Sequence, residues 1–346
     1  MYKLVDFRTD TNAAPSAEMI EVAFKTPLGD AVYNLDQKTL ELEEYAAKML
    51  GKEKAIFLPS GVMGNLVALL SHTQRGEEII LEENSHICTS ETGGAAAVAG
   101  LMLKTIRSQD GAPKAQEIEL AIRPSDQHYP KTSLICLENT HYRYGGIVVP
   151  IERFKEIREI SEKYHLPIHL DGARLFNAAV HSGVTVKKFS QYVDSVMFSL
   201  SKGLGAPVGS MLCGSEEFII KAIRFRKMLG GGMRKIGWLS ACGLVALKDP
   251  NLYSRLLVDH QKAKRLAKGI NKISGITVDL LAVQTNMILA YLGKEVNRLS
   301  LLKFLEKENI FIAPLGKNGL RFYISADIED TDINYTIEKL KKGISI

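Results

Sequence analysis

Between residues 54 and 213 the sequence repeats one unit: a short apolar run, a turn, and then a stretch with helical patterning. The apolar runs fall at 55–58, 78–81, 101–103, 133–137, 167–170, 194–198 and 208–213. Helical stretches stand between them at 62–72, 89–99, 114–122 and 151–164, the last clearly amphipathic. Strands that read as continuous apolar runs are covered on both faces, and parallel neighbours need a crossover helix between them. This alternation leaves few options. It predicts an α/β chain with a mainly parallel, seven-stranded sheet between layers of helices.

The flanking segments read differently. Phe7-Arg8-Thr9-Asp10-Thr11-Asn12 is polar and without helical period, an arm ahead of helices at 15–24 and 39–50, the second ending at Gly51. Residues 215–272 are mostly helical, interrupted at Gly230-Gly231-Gly232 and Asp249-Pro250. A strand at 287–290, a helix at 298–307, strands near 310–312 and 320–324 and a helix running to Lys342 close the chain. We therefore expect an arm and helix over 1–50, a large domain over 51–250 and a small α+β domain over 251–346.

The net charge of +5 is spread over 44 basic and 39 acidic residues without blocks, so a nucleic-acid partner is not expected. No apolar run is long enough to span a bilayer, and the first residues lack a secretory pattern. Cys88, Cys136, Cys213 and Cys242 lie far apart among apolar or small residues, the usage of free thiols in a reducing, cytoplasmic compartment. His165 and His169 are four apart, but Pro167 intervenes and His169 falls in a strand run, so no metal site is expected.

Chemistry in open α/β sheets collects where strands end. After the first run, Ser60-Gly61-Val62-Met63-Gly64-Asn65 opens a helix with bare N–H groups, an anion site without the lysine of a Walker loop. Ser85-His86 follows the second run, and an imidazole there can stack on a flat cofactor or move a proton. Glu138-Asn139-Thr140-His141 follows the run at 133–137, while His128 precedes it and joins a site only if its loop folds over. Asp171-Gly172-Ala173-Arg174 offers a carboxylate for a protonated pyridine nitrogen and a guanidinium for a phenolate or carboxylate. Lys202 follows the run at 194–198 among serines and glycines, placed to form a Schiff base. Each feature alone reads equally well as a turn, a loop histidine, a strand-end ion pair or a solvated lysine. In this order they supply an anion cup, a ring-face partner, a pyridinium partner and an imine-forming amine, which together point to pyridoxal 5'-phosphate.

Seven segments carry a closer resemblance: Arg8-Thr9-Asp10-Thr11; Pro59 to Asn65; His86; Glu138-Asn139-Thr140-His141; His169 to Arg174; Ser201-Lys202-Gly203-Leu204 with Ala206-Pro207-Val208-Gly209-Ser210; and Arg226 to Arg234. In order and over essentially the whole chain, they resemble the low-specificity L-threonine aldolases, β-eliminating lyases among the fold-type I pyridoxal-phosphate enzymes. The resemblance implies a transferase-like large domain with a small C-terminal domain, and retro-aldol cleavage of threonine, allo-threonine and related β-hydroxy-α-amino acids to glycine and an aldehyde. It implies that Lys202 is the Schiff-base lysine, Asp171 the partner of the pyridine nitrogen and His86 the ring-face residue. Gly61 and Val62 are implied phosphate donors. Thr9, Arg174 and Arg321 are implied ligands of the substrate carboxylate, with His128 near the β-hydroxyl; His128, or a water it orders, is the expected base, with His86 the runner-up. Lys227 and Arg234 are implied to enter from a neighbouring subunit of a homotetramer built as a dimer of dimers.

The sequence departs from the family at several positions. Thr9 replaces a usual serine, Val62 a usual threonine and Ser90 a usual aromatic, while Tyr142 and Tyr144 stand where smaller or polar residues are common. Asp171 and Lys202 are shared by other pyridoxal-phosphate reactions, so β-elimination and racemisation remain rival expectations, with a cofactor-binding protein lacking catalysis behind them.

Overall fold

The computed structural model describes residues 3–344. Its strands are β1 (Val5–Asp6), β2 (Lys54–Leu58), β3 (Glu78–Glu82), β4 (Met102–Ile106), β5 (Thr132–Glu138), β6 (Ile168–Asp171), β7 (Ser195–Ser199), β8 (Ser210–Gly214), β9 (Ile276–Val278), β10 (Met287–Leu292), β11 (Ile310–Phe311), β12 (Ala313–Leu315) and β13 (Gly319–Tyr323). Seven of them form the main sheet in the order β2-β8-β7-β6-β5-β3-β4. From β7 through β6, β5 and β3 to β4 every pairing is parallel, and β8 runs antiparallel to both β7 and β2. Central strands such as β5, β6 and β7 are buried at every residue, as their unbroken apolar runs require.

The elements follow the sequence reading with local differences. The expected helix at 89–99 is two short helices, His86–Thr89 and Gly94–Ala97, because Thr92 and Gly93 both adopt positive φ between them. Pro167 stands just outside β6, since it has no N–H for the ladder. β8 begins at Ser210, after Gly209 at φ +105°, where a Cβ would stand 2.4 Å from the Phe57 ring. The short strands β1, β9 and β12 carry too few residues to show a period.

A second antiparallel sheet has the order β12-β13-β10-β9, and β1 pairs in parallel with β11. Val5 and Phe7 of the arm are fully buried with Ile270, Ile288 and Phe322 of the C-terminal layer. Phe7 meets Phe322 edge to face at 5.7 Å, and its burial contributes about 2–3 kcal/mol. Helix Leu252–Ile270 spans both cores, with Leu256 in the main one and Leu266 in the second. The arm thus leaves the C-terminal layer at Phe7 and delivers Asp10 to the end of the main sheet. Among the described residues no helix is long and apolar enough to cross a membrane.

Candidate active site

The C-terminal ends of β2, β3, β5, β6 and β7 open on a cavity of about 180 Å³. Its walls include Gly61, Val62, Asn65, His86, Glu138, Asp171, Arg174 and Lys202. Lys202 is at the base of a turn in which Gly205 N–H donates to the Lys202 carbonyl (2.8 Å) and Ala206 N–H to that of Leu200 (3.0 Å). Among the described residues the Lys202 amine has no ion-pair partner within 4 Å. Burial lowers its pKa, the nearby Arg174 charge lowers it further, and together they outweigh Asp10, Asp171 and Glu138. Such an amine gives up its proton more readily than a solvent lysine, as a nucleophile must. The two glycines beside it serve different ends: Gly205 stands at φ +80° in the turn, and Gly203 clears space for a side chain of the protein. A Cβ on Gly203 would meet Leu256 at 2.7 Å.

Asp171 ends β6 with both oxygens engaged. Oδ1 accepts from Ala173 N–H (3.0 Å) and Oδ2 from Asn65 Nδ2 (2.8 Å). Asn65 Nδ2 also donates to Glu91 Oε1 (2.7 Å), which lies 2.8 Å from His86 Nδ1. The remaining bonds fix the direction of the network. Asn65 Oδ1 can only accept, so His169 Nε2 carries the proton between them (3.1 Å). Burial holds His169 neutral, with a pKa pushed down to about 3, so its Nδ1 accepts from Ser195 Oγ (2.9 Å). Ser195 Oγ accepts in turn from His72 Nε2 (2.8 Å). Burial opposes a charge on His86, but the Glu91 hydrogen bond and the charges of Asp171, Glu91 and Glu138 outweigh it and raise its pKa. His86, Glu91 and Asp171 bring their ligand atoms within 4.8 Å of one another. The hydrogen bonds through Asn65 and His86 account for that grouping.

Two arginines meet at the Tyr323 ring in different states, Arg174 in the cavity wall and Arg321 outside that wall. Arg174 donates from Nε and Nη2 to the two oxygens of buried Asp10, each at 2.7 Å. Burial alone would raise the Asp10 pKa; the Arg174 charge and hydrogen bond, helped by Lys202 and Asn286, bring it down to about 2. Arg321 on β13 lies over the rings of Tyr142 (5.4 Å) and Tyr323 (5.2 Å), and its Nε and Nη1 are buried without a partner among the described residues. An unpaired guanidinium edge of this kind calls for an anion.

Other residues expected at the site lie outside this cavity within one chain. Thr9 Oγ1 bonds the Thr11 hydroxyl (2.8 Å) and N–H (3.1 Å), and the neighbouring Asp10 is the arm residue that reaches the site. His128 is exposed in the loop before β5, at the far end of that strand from Glu138, with its N–H bonded to Asp126 (2.8 Å). Lys227 is exposed on helix Glu216–Met228. Arg234 pairs with Asp30 (2.7 Å) and covers the Tyr33 ring.

A match over residues 6–292 to the model of the beta-eliminating lyases decides the family. The chain belongs to the β-eliminating lyases. This lyase is 44% identical to low-specificity L-threonine aldolase 1 of Arabidopsis thaliana, the alignment covering 98% of this chain and 96% of that one. It is 42% identical to the low specificity L-threonine aldolase of Escherichia coli K12, over 89% and 90% of the two chains. The fold matches the Leishmania major threonine aldolase structure with a TM-score of 0.85 at 20% identity, over 98% of this chain and 99% of that one. The chain's fold is that of the fold-type I pyridoxal-phosphate enzymes.

The residues of this β-eliminating lyase fit that cofactor. At the start of helix Gly61–His72 the N–H groups of Gly61 and Val62 have no acceptor among the described residues. Ser210 Oγ, buried without a partner, lies 3.5 Å from where a Gly61 Cβ would stand. These donors suit a phosphate, Asp171 a protonated ring nitrogen and Lys202 an aldehyde carbon. The lyase also uses residues that sequence reasoning did not single out for a site role: Asp10, Asn65, Glu91 and Tyr323. Asp10 and Asn65 lay inside quoted motifs, but the partners that give them meaning are 164 and 106 residues away.

Proposed function

We propose that this lyase cleaves L-threonine, L-allo-threonine and related β-hydroxy-α-amino acids between Cα and Cβ, releasing glycine and an aldehyde. The observation that carries this reading is the pair of partnerless Arg321 N–H groups, on a guanidinium that shares the Tyr323 ring with Arg174 of the cavity lined by Lys202, Asp171 and His86, in a chain 44% identical to an aldolase of that name. Bound pyridoxal phosphate supplies an electron sink for the pair released when the Cα–Cβ bond breaks.

The chain's own groups do the rest. Lys202 offers an amine that burial keeps ready to lose its proton. Asp171, held by Asn65 and Ala173, keeps a positive ring nitrogen in place. Arg321 binds the substrate carboxylate and so orients the bond to be broken. His86 takes the β-hydroxyl proton onto its free Nε2, with Glu91 supporting the charge that results. His128 would reach a substrate only from a second copy of the chain.

A homotetramer with shared sites belongs to the same reading. It is supported by Lys227, Arg234 and His128, which lie outside the cavity in one chain, and by exposed Phe24, Tyr33, Met228 and Trp238. A cytoplasmic location rests on the four free cysteines.

The holoenzyme should be assayed separately with L-threonine, L-allo-threonine, L-serine and L-alanine. Glycine and acetaldehyde in equal amounts from the first two support the proposal. Rapid release of a keto acid from serine, or racemisation of alanine, without aldehyde from threonine would overturn it.

A further inference from the structure

Tyr142 stands at the meeting point of two functions of the site. It opens the short helical turn Tyr142–Tyr144 after β5 and is buried. Its N–H donates to Glu138 Oε1 (2.9 Å), and the other oxygen of the same carboxylate accepts from His86 N–H (2.7 Å). One side chain therefore sets the backbones of both residues. Their rings then meet edge to face at 5.2 Å. The Tyr142 hydroxyl is pinned by a hydrogen bond with Ser90 Oγ.

Arg321 rests on this ring. Its guanidinium carbon is 5.4 Å from the Tyr142 centroid and 5.2 Å from that of Tyr323. Rings attract a guanidinium over its face and leave its N–H edge open. The unpartnered Nε and Nη1 N–H groups lie in that open plane. A flexible arginine loses rotamer freedom when it grips an anion, and one already held by two rings loses less. The departures at 90 and 142 also become one feature. A small residue at 90 leaves room for the Tyr142 hydroxyl and gives it a partner.

We propose that Tyr142 is the positioning residue that presents Arg321 to the substrate carboxylate, while its edge fixes the plane of His86. The inference rests on the cleavage reading above and deepens it, since the carboxylate anchor and the proton-handling imidazole share one support.

The test uses the holoenzyme with Tyr142→Leu and Tyr142→Phe, and glycine binding by calorimetry as a readout that needs no turnover. Tyr142→Leu is expected to weaken glycine binding and raise the KM for L-threonine by about tenfold, the size of a partly buried cation–π contact, and to lower kcat as well, because the His86 plane is no longer fixed. Tyr142→Phe keeps the ring and is expected to stay within about threefold on both. Should the leucine variant fail to fold, Tyr142→Met beside Met287 carries the same comparison. Wild-type glycine affinity in the variant lacking the ring overturns the proposal, as does equal damage from Tyr142→Phe. If wild type binds glycine and Tyr142→Leu weakens it, yet no β-hydroxy amino acid is cleaved, the functional reading fails and the role of Tyr142 in holding a carboxylate stands.

Discussion

His86 Nδ1 and Glu91 Oε1 stand 2.8 Å apart, with the Glu91 side chain buried and His86 facing the cavity. A carboxylate behind an imidazole fixes its tautomer and favours its charged form. In Glu91→Gln that support is gone and burial acts on His86 unopposed by the Glu91 charge. The His86 pKa should fall. A group with a raised pKa keeps its proton to higher pH, so the variant should release it earlier, moving the corresponding limb of the kcat/KM profile to lower pH. Histidine NMR titration of both proteins checks the direction; an unmoved His86 would show that Glu91 does not act on it.

His86 and His128 make opposite demands on the same step. His86 lines the cavity, and His128 is exposed at the other end of β5. His86→Asn should lower kcat for threonine cleavage by about 100-fold, the usual share of a general base, and His128→Asn by less than about tenfold. Steady-state kinetics of the two variants decide it. The reverse order would mean that His128 of a second copy handles the proton.

The buried Asp10–Arg174 pair ties the arm to the end of β6. Removing one charge leaves the other unpaired in a site where Arg174 is 8% exposed, and Asp10→Asn should lose about 3–5 kcal/mol of unfolding free energy at neutral pH. The pH dependence has a definite sign. Asp10 is held down at about 2 from an ordinary 3.8, so its ionisation contributes about 2 kcal/mol above pH 4. That contribution disappears as pH falls through about 2. Urea unfolding between pH 7 and pH 2 should show the gap between wild type and Asp10→Asn narrowing toward the acid end.

Val62 is half exposed at the start of helix Gly61–His72, which our reading sets against the phosphate, and it offers only its N–H. Val62→Thr adds a hydroxyl at the position where the family commonly has one. One neutral hydrogen bond is worth about 1 kcal/mol, so the variant should bind pyridoxal phosphate about fivefold more tightly. Equilibrium titration of the apoprotein measures it, and unchanged affinity would place the hydroxyl off the phosphate.

Much of this was legible from sequence because the central strands are buried on both faces. β2 through β8 each left an apolar run, and the residues just beyond their ends included Gly61, His86, Asp171 and Lys202. Local chemistry also marked the helix stop at Gly51, whereas Gly209, inside the expected run 208–213, stands at φ +105° ahead of β8. What could not be read were partnerships across the chain. Asp10 looked like part of a polar arm until Phe7 was seen anchored on Phe322, which swings the aspartate onto Arg174. Asn65 looked like the tail of an anion-binding turn, yet its amide joins Asp171, Glu91 and His169. Tyr142 registered only as a departure, because Ser90, His86 and Arg321 come together in space and not in sequence.

Lys202 bears the central claim, that a buried amine at the end of β7 carries the cofactor. Holoenzyme reduced with borohydride should be digested and its peptides mapped by mass spectrometry. A single reduced pyridoxyl-phosphate adduct on the peptide containing Lys202, absent from Lys202→Ala, is the expected result. An adduct on another lysine, with the Lys202 peptide unmodified, would contradict it.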